Sequence, residues 1–90
     1  IFKNKKLFIL DIGTGTGCII LSILSELNNT KGIGIDISAK AIQIATQNSK
    51  QHKLINRVKF YRKSFNNIYN YKFDLIVSNP PYIKSKDIKN

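Results

Sequence analysis

The sequence predicts a parallel, doubly wound α/β sheet. Three observations carry the prediction: short β-rich apolar runs alternate with helical stretches, the first run empties into a glycine-rich turn, and the second ends on an acid. Strand–helix–strand–helix–strand at this spacing returns each strand in the same direction as the last. In such sheets ligands bind beyond the carboxyl ends of the strands, so the informative residues should follow strands.

Leu7 to Ile12 reads as a buried strand, an apolar run broken only by Asp11. Cys18 to Leu27 follows with helical periodicity, Ile20, Leu24 and Leu27 sharing one face with Ile19 and Ile23 beside them. Cys18 is expected to be a small buried residue packing this helix on the sheet. Asn28-Asn29 stops the helix, and Gly32 to Asp36 forms a second strand whose glycines admit close neighbours. Ser38 is placed to cap a helix running to about His52, with Ala41, Ile44, Ala45 and Asn48 facing inward. Val58 to Tyr61 is a third strand, residues 62–71 are polar and turn-rich, and Phe73 to Ser78 is a fourth strand.

Ninety residues leave room for one small domain or part of one. The chain opens at Ile1 and stops at Asn90 without a closing element, so it is expected to be a piece of a longer protein, truncated to about four strands. The net charge of +10 invites a nucleic-acid reading. Thirteen of the 15 basic residues are lysine, however, and they are scattered with no block of five. That pattern fits a solvated surface and an AT-rich coding sequence, with a partner-binding face as the other reading. One cysteine excludes an internal disulfide and suits a reducing, cytoplasmic setting. No apolar run approaches the ~18 residues of a membrane span. One His, His52, and one Cys cannot compose a metal site, so no metal is expected.

The first strand runs into Asp11-Ile12-Gly13-Thr14-Gly15-Thr16-Gly17. Alternate glycines at a strand-to-helix turn permit positive φ and close approach of a ligand to the main chain. The dinucleotide fingerprint fails, because Cys18 stands where its third glycine belongs, and no Gly-Lys-Ser/Thr follows for a phosphate loop. What remains, an acid followed by G-x-G-x-G, resembles the loop that embraces the amino-acid end of S-adenosylmethionine. Asp36 closes the second strand, where a carboxylate can accept from both ribose hydroxyls. Three of the five acids, Asp11, Asp36 and Asp74, fall at strand ends, where chemistry would want them. A cationic sulfonium also favours local acids in a basic protein.

The fourth strand runs into Asn79-Pro80-Pro81-Tyr82. Consecutive prolines force the chain out of the sheet and stiffen it, fixing Asn79, the Pro80 carbonyl and Tyr82. A planar NH₂ nitrogen is a poor nucleophile because its lone pair is delocalised. Two acceptors, the Asn79 side-chain oxygen and the Pro80 main-chain oxygen, can hold both N–H bonds and aim the lone pair. Tyr82 offers a flat face to the amide or base plane. The chemistry is positioning and electrostatics, with no covalent intermediate.

These stretches together resemble the HemK-type methyltransferases that modify the glutamine amide of peptide-chain release factors. The likeness spans residues 11–19, Gly34 to Ser38 and Phe73 to Ile83. It implies a Rossmann-like S-adenosylmethionine-dependent methyltransferase fold, with residues 1–90 as part of the catalytic domain. A substrate-docking domain before it and further strands after it lie outside this chain. It implies S-adenosyl-L-methionine as cofactor, held by Asp11, Gly13, Thr14, Gly15, Thr16, Gly17, Asp36, Ser64, Phe65 and Asn79. Catalysis would fall to Asn79, Pro80 and Tyr82, with Pro81 joining them around the substrate. The implied substrate is the glutamine of the Gly-Gly-Gln loop, and the implied partner a release factor. Adenine amines in DNA or RNA, a ribosomal-protein glutamine and a degenerate non-catalytic module are the other readings. Asn-Pro-Pro-Tyr alone is shared with adenine methyltransferases. One departure stands out: where that family has an acid, a Trp and a Phe, this chain has Lys63-Ser64-Phe65. Ser64 lacks the stacking surface that the Trp gives adenine in that family, with Phe65 as its substitute, and Lys63 adds a positive charge beside a cationic cofactor.

Overall fold

A computed structural model describes residues 6–67 and 72–78. Strands β1 (Phe8–Ile12), β2 (Lys31–Asp36), β3 (Val58–Arg62) and β4 (Leu75–Ser78) form one sheet in the order β3-β2-β1-β4, and every pair is parallel. Helix α1 (Cys18–Glu26) joins β1 to β2, and α2 (Ala39–Gln51) joins β2 to β3. A 3₁₀ turn at Phe65–Asn67 lies between β3 and β4. The strand order reverses at β1, and right-handed crossovers in one direction put α1 and α2 on the same face of the sheet.

Alternation along the strands divides the core in two. Ile9 and Val58 face the helices and bury against Ile20, Leu21, Leu24 and Leu54. Leu10, Ile33 and Ile35 occupy the opposite face with Phe8, Ile12, Tyr61 and Phe73. The helix face of β2 carries Gly32 and Gly34. A Cβ on Gly32 would stand 2.6 Å from Ile20 Cδ1, and one on Gly34 would stand 2.6 Å from the Phe60 ring. At Gly32, α1 therefore packs closer to β2 than a side chain would allow, and at Gly34 the Phe60 ring of β3 fills the place of one.

Ser38 caps α2, its hydroxyl accepting from the Ala41 N–H at 3.1 Å. Helix α1 has no side-chain cap at Gly17 and no basic residue in its last turn. Its carboxyl end is instead satisfied by Arg57. The guanidinium donates to the Leu24 and Leu27 carbonyls at 2.8 and 2.6 Å and to the Thr30 carbonyl at 3.1 Å.

Several expectations need correction. Leu21 is buried on α1 whereas Ile19 is 43% exposed, so the inner face is rotated from the one read in the sequence. Cys18 is exposed rather than packed beneath the helix, on the side of α1 turned away from buried Ile20 and Leu24. Ser49 joins Ala45 as a buried α2 residue, its hydroxyl donating to the Thr46 carbonyl at 2.7 Å. β4 begins at Leu75, and Asp74 lies at its amino end, opposite the edge where ligands bind. There the Asp74 carboxylate accepts from the Phe8 N–H at 2.8 Å and the Asp74 N–H donates to the Phe8 carbonyl at 2.8 Å. Its work is to register β4 against β1.

Candidate functional site

The carboxyl ends of the strands lie level, with Ile12 opposite both Ile35 and Ser78, and Asp36 opposite Arg62. The glycine loop rises from that edge between β1 and α1. Gly13, Gly15 and Gly17 all adopt left-handed φ, at 69°, 56° and 81°, the conformation their missing Cβ makes cheap. A Cβ on Gly15 would meet nothing within 4 Å, so the loop faces open space there. Gly17 is enclosed by Phe60, Ala45 and Leu21.

Each peptide of this loop has a traceable partner, with one exception. The Thr14 N–H donates to the Ile35 carbonyl at 2.9 Å, and the Gly17 N–H donates to the Thr14 carbonyl at 2.8 Å. The Gly15 N–H donates to Asp36 Oδ2 at 2.9 Å. The Thr16 carbonyl accepts from the Asn48 side-chain amide at 2.9 Å. Among the described residues the Gly15 carbonyl and the Thr16 N–H, which form one peptide plane, have no such partner. Beside them the uncapped amino end of α1 presents further N–H groups.

Asp11 lies beneath the loop and is 1% exposed. Its Oδ2 accepts from the Thr14 hydroxyl at 2.7 Å, while its Oδ1 has no hydrogen-bond partner. Burial pushes its pKa above the ordinary 3.8; the Thr14 hydroxyl pulls it down, and the Asp36 carboxylate pushes it up further. A buried carboxylate oxygen without a partner is costly, and a cationic ligand would relieve that cost.

Asp36 closes β2, half-buried, with Oδ1 accepting from the Ser38 N–H at 2.9 Å. One carboxylate thus ties the glycine loop to the start of α2, and each oxygen keeps a lone pair for another donor. Asp36 also opens onto a cavity of about 470 Å³, floored by Ile12, Gly13 and Ile35 and walled by Ile37, Lys63, Ser64 and Phe65. Ile37 is 73% exposed and Phe65 57% exposed, so both offer apolar surface to an occupant. The Lys63 ammonium lies 5.2 Å from the Tyr61 ring centroid, a cation–π distance.

The structure therefore brings Asp11, Gly13 to Gly17, Asp36, Ser64 and Phe65 to one edge of the sheet. Asn79, Pro80, Pro81 and Tyr82 lie outside the described residues. Asn48 was legible only as an inward-facing residue of α2, and its bond to the loop joins positions 32 apart. Among the described residues no group of three His, Cys, Asp or Glu could hold a metal ion, and no helix is long and apolar enough to cross a membrane.

These features fit S-adenosyl-L-methionine. The negative charge of Asp11 beneath the loop suits its ammonium, the free loop and helix amides its carboxylate, Asp36 its ribose, and the cavity its adenine.

Comparison with known proteins agrees. Residues 3–89 match the methyltransferase domain family. The chain is 46% identical over 80 residues to the bifunctional methyltransferase of Rickettsia typhi, covering 88% of this chain and 15% of that protein. It is 46% identical over 77 residues to the release factor glutamine methyltransferase of Agrobacterium fabrum, covering 86% of this chain and 27% of that protein. The chain thus spans well under a third of the length of either relative. Among solved structures, PKMT2 of Rickettsia typhi in complex with AdoHcy superposes with a TM-score of 0.73 at 28% identity, over 81% of this chain and 14% of that one. With this match over nearly its whole length and a Rossmann-like sheet to go with it, the chain belongs to the methyltransferase domain family.

Proposed function

We propose that the protein containing this chain transfers a methyl group from S-adenosyl-L-methionine to the side-chain amide of the glutamine in a release-factor Gly-Gly-Gln loop, in the cytoplasm, during translation termination. The observation that carries the reading is a juxtaposition. β4 ends at Ser78 level with Ile12, at the mouth of the glycine loop, and the next four residues are Asn-Pro-Pro-Tyr. On this reading the Asn-Pro-Pro-Tyr that follows β4 in the sequence supplies an amide-binding half beside the cofactor half. Similarity to release factor glutamine methyltransferase supports the protein substrate. On this reading residues 1–90 are part of a catalytic domain, with substrate docking supplied from elsewhere in the protein.

S-adenosyl-L-methionine supplies a methyl group made electrophilic by a sulfonium. Asp11, the loop amides and Asp36 bind and orient it. Asn79 and the Pro80 carbonyl accept the two amide N–H bonds and turn the nitrogen lone pair towards the methyl. The N–C bond forms as the C–S bond breaks, its electron pair passing to sulfur, and the nitrogen gives up a proton to solvent. Such alignment supplies rate by removing orientational freedom rather than by covalent chemistry.

The basic charge of +10 favours a second reading, adenine N6 methylation in nucleic acid, which uses the same acceptor pair. Asn79→Ala in the full-length protein tests the shared mechanism. Cofactor affinity should stay within a few-fold while kcat falls about 10²–10³-fold, as for one preorganised hydrogen bond lost from a transition state. Asp at this position keeps an acceptor and should retain more activity than Ala. Full methylation of a release factor by the Ala variant would sink the assignment.

A further inference from the structure

We infer that Asn48 is a positioning residue for the amino-acid end of the cofactor, acting through the main chain of the glycine loop. The inference rests on the cofactor site proposed above and adds to it a residue outside the loop.

The loop has little order of its own. Three of its five residues are glycines in left-handed φ, and each surrenders more backbone freedom on folding than any other residue type. Its shape is therefore set by what grips it. β2 grips the front, through the Ile35 carbonyl at Thr14 and the Asp36 carboxylate at Gly15. Among the described residues, only Asn48 hydrogen-bonds the back of the loop from another element, its side-chain N–H donating to the Thr16 carbonyl at 2.9 Å.

That bond has a geometric consequence. The Thr16–Gly17 peptide is now pinned at both ends, its carbonyl by Asn48 and its N–H by the Thr14 carbonyl at 2.8 Å. The preceding peptide, Gly15–Thr16, lies between two fixed planes. It is the one whose carbonyl and N–H have no partner among the described residues. Pinning its neighbours aims its N–H without consuming it. A carboxylate arriving at the amino end of α1 then finds that N–H already oriented. Asn48 also links the loop to α2, whose first turn is tied through the Ser38 N–H to the Asp36 carboxylate. The two ends of the cofactor would be held by one connected frame.

Asn suits the position because it donates with a short, stiff side chain. Asp would keep the shape and set an acceptor against an acceptor at that distance.

The test separates loop positioning from general loosening by using two ligands on the full-length protein. S-adenosylhomocysteine carries the amino-acid end; 5′-methylthioadenosine keeps the nucleoside and lacks it. Calorimetry on Asn48→Ala should show S-adenosylhomocysteine weakened about 10-fold, the worth of one well-placed hydrogen bond. Methylthioadenosine should weaken less than about two-fold, and KM for the cofactor should rise with kcat at saturation little changed. Asn48→Asp should lose at least as much as Ala. Equal weakening of both ligands would overturn the inference, because the helix would then be only a scaffold. So would S-adenosylhomocysteine affinity within about two-fold of wild type in the folded Ala variant. Failure of the wild-type protein itself to bind S-adenosylhomocysteine would refute the cofactor reading beneath it.

Discussion

Removing the Asp36 carboxylate should damage two things at once, and the structure separates them. Its oxygens accept from the Gly15 and Ser38 N–H groups, both at 2.9 Å, and the residue lines the cavity. Hydrogen bonds to a charged group net about 1.5–3 kcal/mol when well buried, and this half-buried carboxylate is partly screened, so Asp36→Ala should cost the fold about 1–2 kcal/mol. Loss of the ribose contacts should cost a further ~1.5–3 kcal/mol in binding, roughly 10–150-fold in Kd. Asn is the sharper variant. It keeps one acceptor oxygen but must turn its NH₂ towards one of the two N–H groups or the ribose, so it should lose nearly as much as Ala. Thermal melting of the full-length protein reads the first effect, and calorimetric titration with S-adenosylhomocysteine the second. A lower melting temperature with Kd within about two-fold of wild type would refute the ribose assignment and leave Asp36 as a tie between loop and helix.

Asp11 predicts a pH dependence of definite sign. Its folded pKa is raised, so its contribution to stability is greatest below the ordinary 3.8 and is lost as pH rises through the folded value. A cofactor ammonium would lower that pKa, so binding should strengthen with rising pH over the same window; Asp11→Asn should flatten both profiles, and unchanged profiles would exclude the pairing. Arg57→Ala uncaps α1 by removing three donations to carbonyls, and melting should report a loss of about 2–4 kcal/mol, of which Lys restores little because one ammonium cannot match that fork. Ser64→Trp adds an aromatic face to the cavity wall and should tighten S-adenosylhomocysteine by about 0.5–1.5 kcal/mol; weaker binding in the titration would place the adenine elsewhere.

The elements were legible because their signals are local. Apolar runs marked the strands, alternate glycines marked positive φ, and Ser38 marked a cap that the structure shows bonded to Ala41. What escaped depends on contacts distant in sequence. The inner face of α1 is set by where Gly32 lets Ile20 approach the sheet, and that rotation buries Leu21 and leaves Ile19 and Cys18 outside. Asp74 looked like a site acid by its position at a strand end, yet only the register of β4 on β1 reveals which end. Arg57 gave no signal as a helix cap, since its partners lie 27 to 33 residues away. Lys63, a like charge beside the cofactor in sequence terms, has its ammonium over Tyr61 in the fold.

The most direct test of the account is to give the full-length protein methyl-labelled S-adenosyl-L-methionine with an unmethylated release factor, and DNA and RNA in parallel. Peptide mapping by mass spectrometry should find one added methyl on the side-chain amide of the Gly-Gly-Gln glutamine and no label in nucleic acid. Label on an adenine amine, with the release factor left unmodified, would contradict it.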